Sequence, residues 1–216
     1  MRARRAVWCM LGLGASLAPW NPLPAQAPRA WAAGTASTVT LRSIAAGFGE
    51  DLNGHLLGGE AGVAWGPVVL RVAYAEGRLT PDSVGLERRD HAVGHALAGL
   101  RLFSGLDVTV GPQARAYLRA DARERWVSWI VRAGLEAPIV APWVRGYAVG
   151  WGVVSGAASV DGLFDRGRGG VAGLRIRPGR VIGLRLEYSI EETRLTAPLR
   201  RETIEGLGVG VCLGCD

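Results

Sequence analysis

Residues 106–118 read Leu106-Asp107-Val108-Thr109-Val110-Gly111-Pro112-Gln113-Ala114-Arg115-Ala116-Tyr117-Leu118. Leu106, Val108, Val110, Ala114, Ala116 and Leu118 fall on one parity with Pro112, and Asp107, Thr109, Gln113, Arg115 and Tyr117 on the other. Successive side chains of an extended strand point to opposite faces, so strict alternation is the pattern of a strand between two unlike environments.

The same period recurs along the chain. In 125–137, Val127, Trp129, Val131, Ala133, Leu135 and Ala137 oppose Ser128, Arg132, Gly134 and Glu136. In 181–191, Ile182, Leu184, Leu186, Tyr188 and Ile190 oppose Gly183, Arg185, Glu187, Ser189 and Glu191. In 202–213, Thr203, Leu207, Val209, Val211 and Leu213 oppose Glu202, Gly206, Gly208 and Gly210. Weaker alternation marks further strands near 37–48, 58–66, 68–78, 91–103, 142–154 and 169–177. In 142–154 the facing is ambiguous; we place the aromatic row of Trp143, Tyr147, Val149, Trp151 and Val153 outward, with Arg145 near an end where its long stem reaches polar surroundings.

The total is about ten strands, with eight as the fallback. Short turns are expected at Gly66-Pro67, Ser104-Gly105, Pro138 to Pro142 and Pro178-Gly179, and longer polar links at 49–57, 79–90, 119–124, 155–168 and 192–201. That alternation of short and long connections suits neighbour-connected strands running up and down.

Composition narrows the class. The chain has 216 residues, 49% hydrophobic and 20% charged, too apolar for general disorder. Gly accounts for 32 residues, about twice the usual share of roughly 7%. No window holds 18 uninterrupted apolar residues, so no transmembrane helix is offered. Arg2, Arg4 and Arg5 followed by an apolar stretch from Ala6 to Ala18 read as a secretory leader, with cleavage expected after Ala25 or Ala27. Cys9, within that stretch, carries no role. Without the three leader arginines, 22 basic residues face 19 acidic ones, a net of +3. No basic run longer than a pair remains, and nucleic acid is set aside as a partner.

The expected organisation is therefore a removable leader over 1–25, a short periplasmic lead-in over 26–36 and an all-β, antiparallel, up-and-down transmembrane β-barrel over 37–216. Hydrocarbon offers the backbone no hydrogen-bond partners, and a closed barrel satisfies every N–H and C=O internally. The polar row carries glycine and charges of both signs, as a narrow lumen requires. Arg71, Arg101, Arg115, Arg132, Arg175, Arg177 and Arg185 are expected inside with Glu60, Asp107, Glu136, Glu187 and Glu202, forming a charge network. Trp65 and Trp143 by the short turns, and Tyr74, Trp129, Trp151 and Tyr188 toward the other strand ends, would form two aromatic girdles.

In this pattern the mature chain resembles the small outer-membrane β-barrel proteins of Gram-negative bacteria. The resemblance implies the outer membrane as location and, as partners, its lipid and lipopolysaccharide, periplasmic chaperones and the barrel-insertion machinery. Such chains commonly end in a strand closed by an aromatic residue; here Val209, Val211 and Leu213 alternate but Cys215 and Asp216 end the chain.

Chemistry is sparse. His91 and His95, four apart on a strand, lie about 13 Å from one another at 3.3 Å per residue and cannot chelate one ion by themselves. Cys212 and Cys215 lack further zinc ligands, and a turn through Gly214 would allow them a disulfide. No cofactor is implied. Asp90-His91 invites comparison with the omptins, barrel proteases with an Asp-His pair at the outer rim, but adjacent strand residues face opposite ways. The function expected is a porin-like but non-enzymatic envelope barrel with a charge-filled lumen, acting in envelope integrity or surface binding. The alternatives are a hydrolase of lipid A or peptides using His55 or His91, and a soluble lipocalin-like carrier whose apolar row would face inward.

Overall fold

In a computed structural model of the chain, residues 27–45, 47–83, 87–103, 105–119, 122–158, 164–179, 181–196 and 199–215 are described. The expected leader lies outside them. Ten strands follow in order: β1 (Arg29–Ala45), β2 (Phe48–Trp65), β3 (Val68–Pro81), β4 (Arg89–Phe103), β5 (Leu106–Leu118), β6 (Arg123–Ala141), β7 (Val144–Ala158), β8 (Phe164–Ile176), β9 (Ile182–Thr196) and β10 (Leu199–Leu213). Each pairs antiparallel with its sequence neighbours, and β1 pairs with β10, so the sheet closes into an up-and-down barrel with no free edge.

The start of β1 and the end of β10 lie at one end of the barrel, with the connections 66–67, 104–105, 142–143 and 177–181. At the other end the strands run further than the alternation suggested. The expected links 49–57 and 192–201 are mostly strand, in the β1–β2 and β9–β10 hairpins. The outward residues there turn from apolar to charged, so the polarity contrast vanishes while pairing continues, as at Arg42↔Asp51 and Arg201↔Arg194. Connections at this end are correspondingly shorter than expected, two residues at 46–47 and at 197–198.

The lead-in assigned to 26–36 is also corrected: β1 begins at Arg29 and pairs along its length with β2 and β10. Its outward row of Ala30, Ala32, Gly34 and Ala36 and its inward row of Trp31, Ala33, Thr35 and Ser37 differ too little in polarity to show a period. Long-range pairing with two neighbours, rather than local pattern, makes this segment a strand.

The apolar rows face out. Leu184, Leu186, Ile190, Val209 and Val211 are each exposed by 43–57%, while Thr109, Gln113 and Arg115 on the polar row of β5 are buried. A lipocalin-like carrier requires the opposite facing, with the apolar row inside, and this geometry excludes it. On β7 the facing we expected is reversed. Tyr147 is buried and lies opposite Gly173 and Glu136, with Trp151 opposite Gly169, all on inward rows. The row of Gly146, Ala148, Gly150 and Gly152 faces out. Beyond Trp129 a β-bulge resets the phase, with Ile130 paired to Val153 and Trp129 to Ser155.

Candidate functional site

Three zones follow from which side chains each row presents: an outer belt, an outer collar and a divided lumen.

The belt is the outer surface nearest the termini. From Leu57 to Trp65 on β2, Val68 to Tyr74 on β3, Val127 to Ala137 on β6, Gly170 to Ile176 on β8, Ile182 to Ile190 on β9 and Leu207 to Leu213 on β10, no outward row carries a charge. On β6 and β9 it spans ten and eight residue steps. At about 3.3 Å per step and a tilt of about 40°, the belt is roughly 20–25 Å tall, the height of a lipid-facing band.

Trp65 and Trp143 are exposed near the lower edge, and Tyr74, Trp129 and Tyr188 near the upper one. Trp151, expected among them, points into the lumen instead. Above the belt the outer rows become a collar. Tyr74 donates its hydroxyl to Glu76 at 2.6 Å, tying belt to collar. Arg42 pairs with Asp51 at 3.1 Å and Arg78 with Asp90 at 2.9 Å. On β8–β10, Arg168, Arg194 and Arg201 converge on Glu192 at 2.9, 2.9 and 3.0 Å, with Arg166 in register beside Arg194. Hydrogen bonds from Arg168 and Arg194 hold the Glu192 carboxyl below its ordinary range.

The collar half of the lumen is filled. Val39, Leu41, Leu52, Leu79, Tyr117, Trp126 and Leu195, from six strands, form one buried cluster, with Phe164 and Ile204 packed against it. Tyr117 packs against His91 with the rings tilted and 4.9 Å apart, and meets Trp126 edge-on at 5.6 Å. Ion pairs frame the cluster: Arg115 with Glu191, Arg89 with Glu50, and Arg200 with Glu202 and, at 2.9 Å, with Glu124. Glu124 also accepts from Trp126 Nε1 at 2.7 Å. The plug is thus an apolar core with paired charges around it, where charges alone were expected.

The half nearest the termini is a chamber of about 300 Å³ whose lining includes seven arginines and three carboxylates. Arg71 bridges Glu60 at 3.1 Å and Asp107 at 2.8 Å. Arg185 bridges Glu60 at 3.3 Å and Glu187 at 2.8 Å. Glu136 takes Arg145 and Arg175, each at 2.6 Å. Tyr147 donates to Glu187 at 2.6 Å, and Arg175 and Arg185 lie over its ring at 5.6 and 5.4 Å. Trp31, stacked under Arg71 at 5.6 Å, lies against Gly62, where any Cβ would overlap its ring. Of the expected lumen arginines, Arg71, Arg101, Arg132, Arg175 and Arg185 line the chamber, Arg115 belongs to the plug, and Arg177, beyond the end of β8, donates to the Cys215 carbonyl.

The remaining candidates separate. His55 is exposed on the outside, above the belt. Asp90 points out to Arg78 while His91 is buried on Tyr117, so the Asp-His pair cannot act on one substrate. Gly214, at φ +66°, turns the chain end, and Cys212 and Cys215 pack in one small buried cluster below Trp31. The turn the disulfide required is present, but both thiols are free.

No family model matches the chain, and no curated protein matches it. Among solved structures, it is similar to Neisserial surface protein A at 12% identity and a TM-score of 0.41, over 85% of this chain and 96% of that one. It is similar to the translocator domain of the autotransporter NalP from Neisseria meningitidis at 11% identity and a TM-score of 0.47, over 86% and 88%. The beta domain of the Bordetella autotransporter BrkA matches at 12% identity and a TM-score of 0.45, over 84% and 98%.

Sequence reading missed the apolar plug, and the signal was available. Trp126 and Ile130 share parity with Ser128 and Arg132, and Leu195 shares parity with Arg185 and Glu187. Only the polar members of those rows were used to describe the lumen.

Proposed function

We propose that this protein is a non-conducting, non-catalytic outer-membrane barrel that stabilises the envelope by gripping lipid at its outer collar. The observation that carries the reading is the uncharged outer belt, roughly 20–25 Å tall, bounded by aromatics and then by charge. A surface of that composition on a water-soluble protein would be a continuous exposed apolar ring, an aggregation hazard. In hydrocarbon it is the stable face.

Up-and-down barrels of this kind place their termini on the periplasmic side, which sets the plug and collar outward. There the cluster of Arg166, Arg168, Arg194 and Arg201 would meet the phosphates of lipopolysaccharide just above the acyl boundary. Guanidinium forks match phosphate geometry and form charge-assisted pairs. A lumen closed by seven buried side chains supports the absence of conduction. The separation of Asp90 from His91 and the outward position of His55 support the absence of hydrolysis.

The test is to express the full chain in a Gram-negative host and fractionate the envelope. The gel mobility of the extracted protein in dodecyl sulfate is then compared with and without boiling. Recovery in the outer-membrane fraction with a heat-dependent shift is expected; a soluble periplasmic protein without a shift overturns the reading. Reconstituted into planar bilayers, the protein should show no discrete conductance steps.

A further inference from the structure

The chamber has more cations than the plug or the collar can explain. Its carboxylates are all committed: Glu60 to Arg71 and Arg185, Asp107 to Arg71, Glu136 to Arg145 and Arg175, and the adjoining Glu187 to Arg185 and Tyr147. Arg101 and Arg132 are left over. Among the described residues no carboxylate pairs with either, and Arg132 Nη1 is buried without a hydrogen-bond partner. They lie on the same inner face with only β5 between their strands. Arg101 pairs across to Asp107 and Arg132 to Thr109, two residues further along β5. Asp107 itself is held by Arg71 and leans over Gly134, where a Cβ would collide with its carboxylate.

An unpaired guanidinium in a confined site is costly, because water is displaced and the effective dielectric falls; that cost falls on the half-buried Arg132, while Arg101 stands exposed at the chamber mouth. A mobile anion removes that cost. The volume of about 300 Å³ lies at the small end of ligand pockets and suits a compact ion. Its lining includes Arg29, Arg101, Gly214 and Cys215, which lie at the strand ends beside the termini, so the opening is on that side. The fork of each arginine selects planar or tetrahedral groups with adjacent anionic oxygens over a spherical halide.

We propose that this chamber binds a small multivalent oxyanion, of the phosphate or tricarboxylate class, entering from the terminal end and held by Arg101 and Arg132. The already paired arginines supply the surrounding positive field, and Tyr147 and Trp31 fix their positions.

The experiment uses the full folded chain in neutral detergent, titrated calorimetrically with pyrophosphate, with citrate and with chloride. Saturable binding of pyrophosphate or citrate, at one site per barrel and without a comparable chloride effect, is expected; which of the two binds tighter identifies the class. Replacing Arg101→Gln with Arg132→Gln should weaken binding at least tenfold. The outer-surface pair Arg42→Gln with Arg78→Gln removes the same charge and should change it less than twofold. Glu136→Gln releases Arg145 and Arg175 and should tighten binding several-fold, which guards against a loss caused by misfolding. No saturable binding to the wild type, or equal losses in the inner and outer double variants, overturns the proposal. Either result leaves the membrane reading standing, since that reading is tested by fractionation and gel mobility.

Discussion

The Tyr117 hydroxyl donates a 2.9 Å hydrogen bond to Glu202 across the full width of the lumen. Tyr117 is on β5 and Glu202 on β10, five strands apart whichever way the ring is followed. Both side chains are almost wholly buried. A bond between opposite walls ties the barrel together in a way that neighbouring-strand pairing cannot. Tyr117→Phe keeps the ring packing and should lower stability by about 1 kcal/mol, the net worth of one buried hydrogen bond. Glu202→Ala also removes one of the two carboxylates that hold Arg200, leaving Glu124, and should cost more, about 3 kcal/mol. Urea midpoints followed by the gel shift would read both; equal effects would show that the ion pair to Arg200 adds nothing beyond the tyrosine bond.

Closure of the lumen depends on shape rather than on any one contact. Leu41, Leu52 and Trp126 come from three strands and meet in the same cluster. Replacing all three by alanine removes most of the apolar volume on that level. Polar groups such as Arg115, Glu124 and Glu202 would remain to hold water there. Planar-bilayer recordings should then show discrete conductance steps that the wild type lacks. A silent triple variant that still shifts on heating would place the block elsewhere in the lumen.

The belt makes a depth-dependent prediction. Leu186 is an outward residue in the middle of the β9 belt, and Thr203 is an outward residue in the collar on β10. Leu186→Arg should destabilise the inserted barrel by about 2–4 kcal/mol, the cost of a lipid-facing charge near the midplane. Thr203→Arg should cost about 1 kcal/mol or less. The readout is the urea midpoint in lipid vesicles. If the two variants are equally tolerated, the belt does not face lipid.

How far the sequence carried this structure differs from zone to zone. Strands β5, β6, β9 and β10 were legible because apolar and charged residues alternate strictly over their lower halves. The collar ends of β9 and β10 were not, because Arg194, Arg201 and Glu192 face water on the outside and charge appears on both rows. The phase of β7 could not come from β7 alone, since both its rows are built from residues that suit either environment. Arg145 settles it: its partner Glu136 lies inside on β6, and that pairing forces Tyr147 and Trp151 inward. The unpaired state of Arg101 and Arg132 was invisible because it depends on which carboxylates their neighbours had already taken.

The collar yields the last prediction. Glu192 is the shared counter-charge of Arg168, Arg194 and Arg201, and those arginines hold its pKa down. A carboxyl with a depressed pKa contributes stability above its unfolded value, near 4.3, and loses it only as pH falls through the lower folded value. Between pH 7 and pH 5 the cluster therefore keeps its charge pattern, and binding to vesicles carrying lipid A should be nearly flat. Glu192→Gln removes the internal competitor and leaves the guanidiniums for lipid phosphate. Retention on lipid A vesicles should then increase several-fold at low salt, and the gain should shrink as salt screens the exposed charges. Retention that falls in Glu192→Gln would mean that the carboxylate is needed to hold the arginines in place, and that the collar binds through its arrangement rather than its net charge.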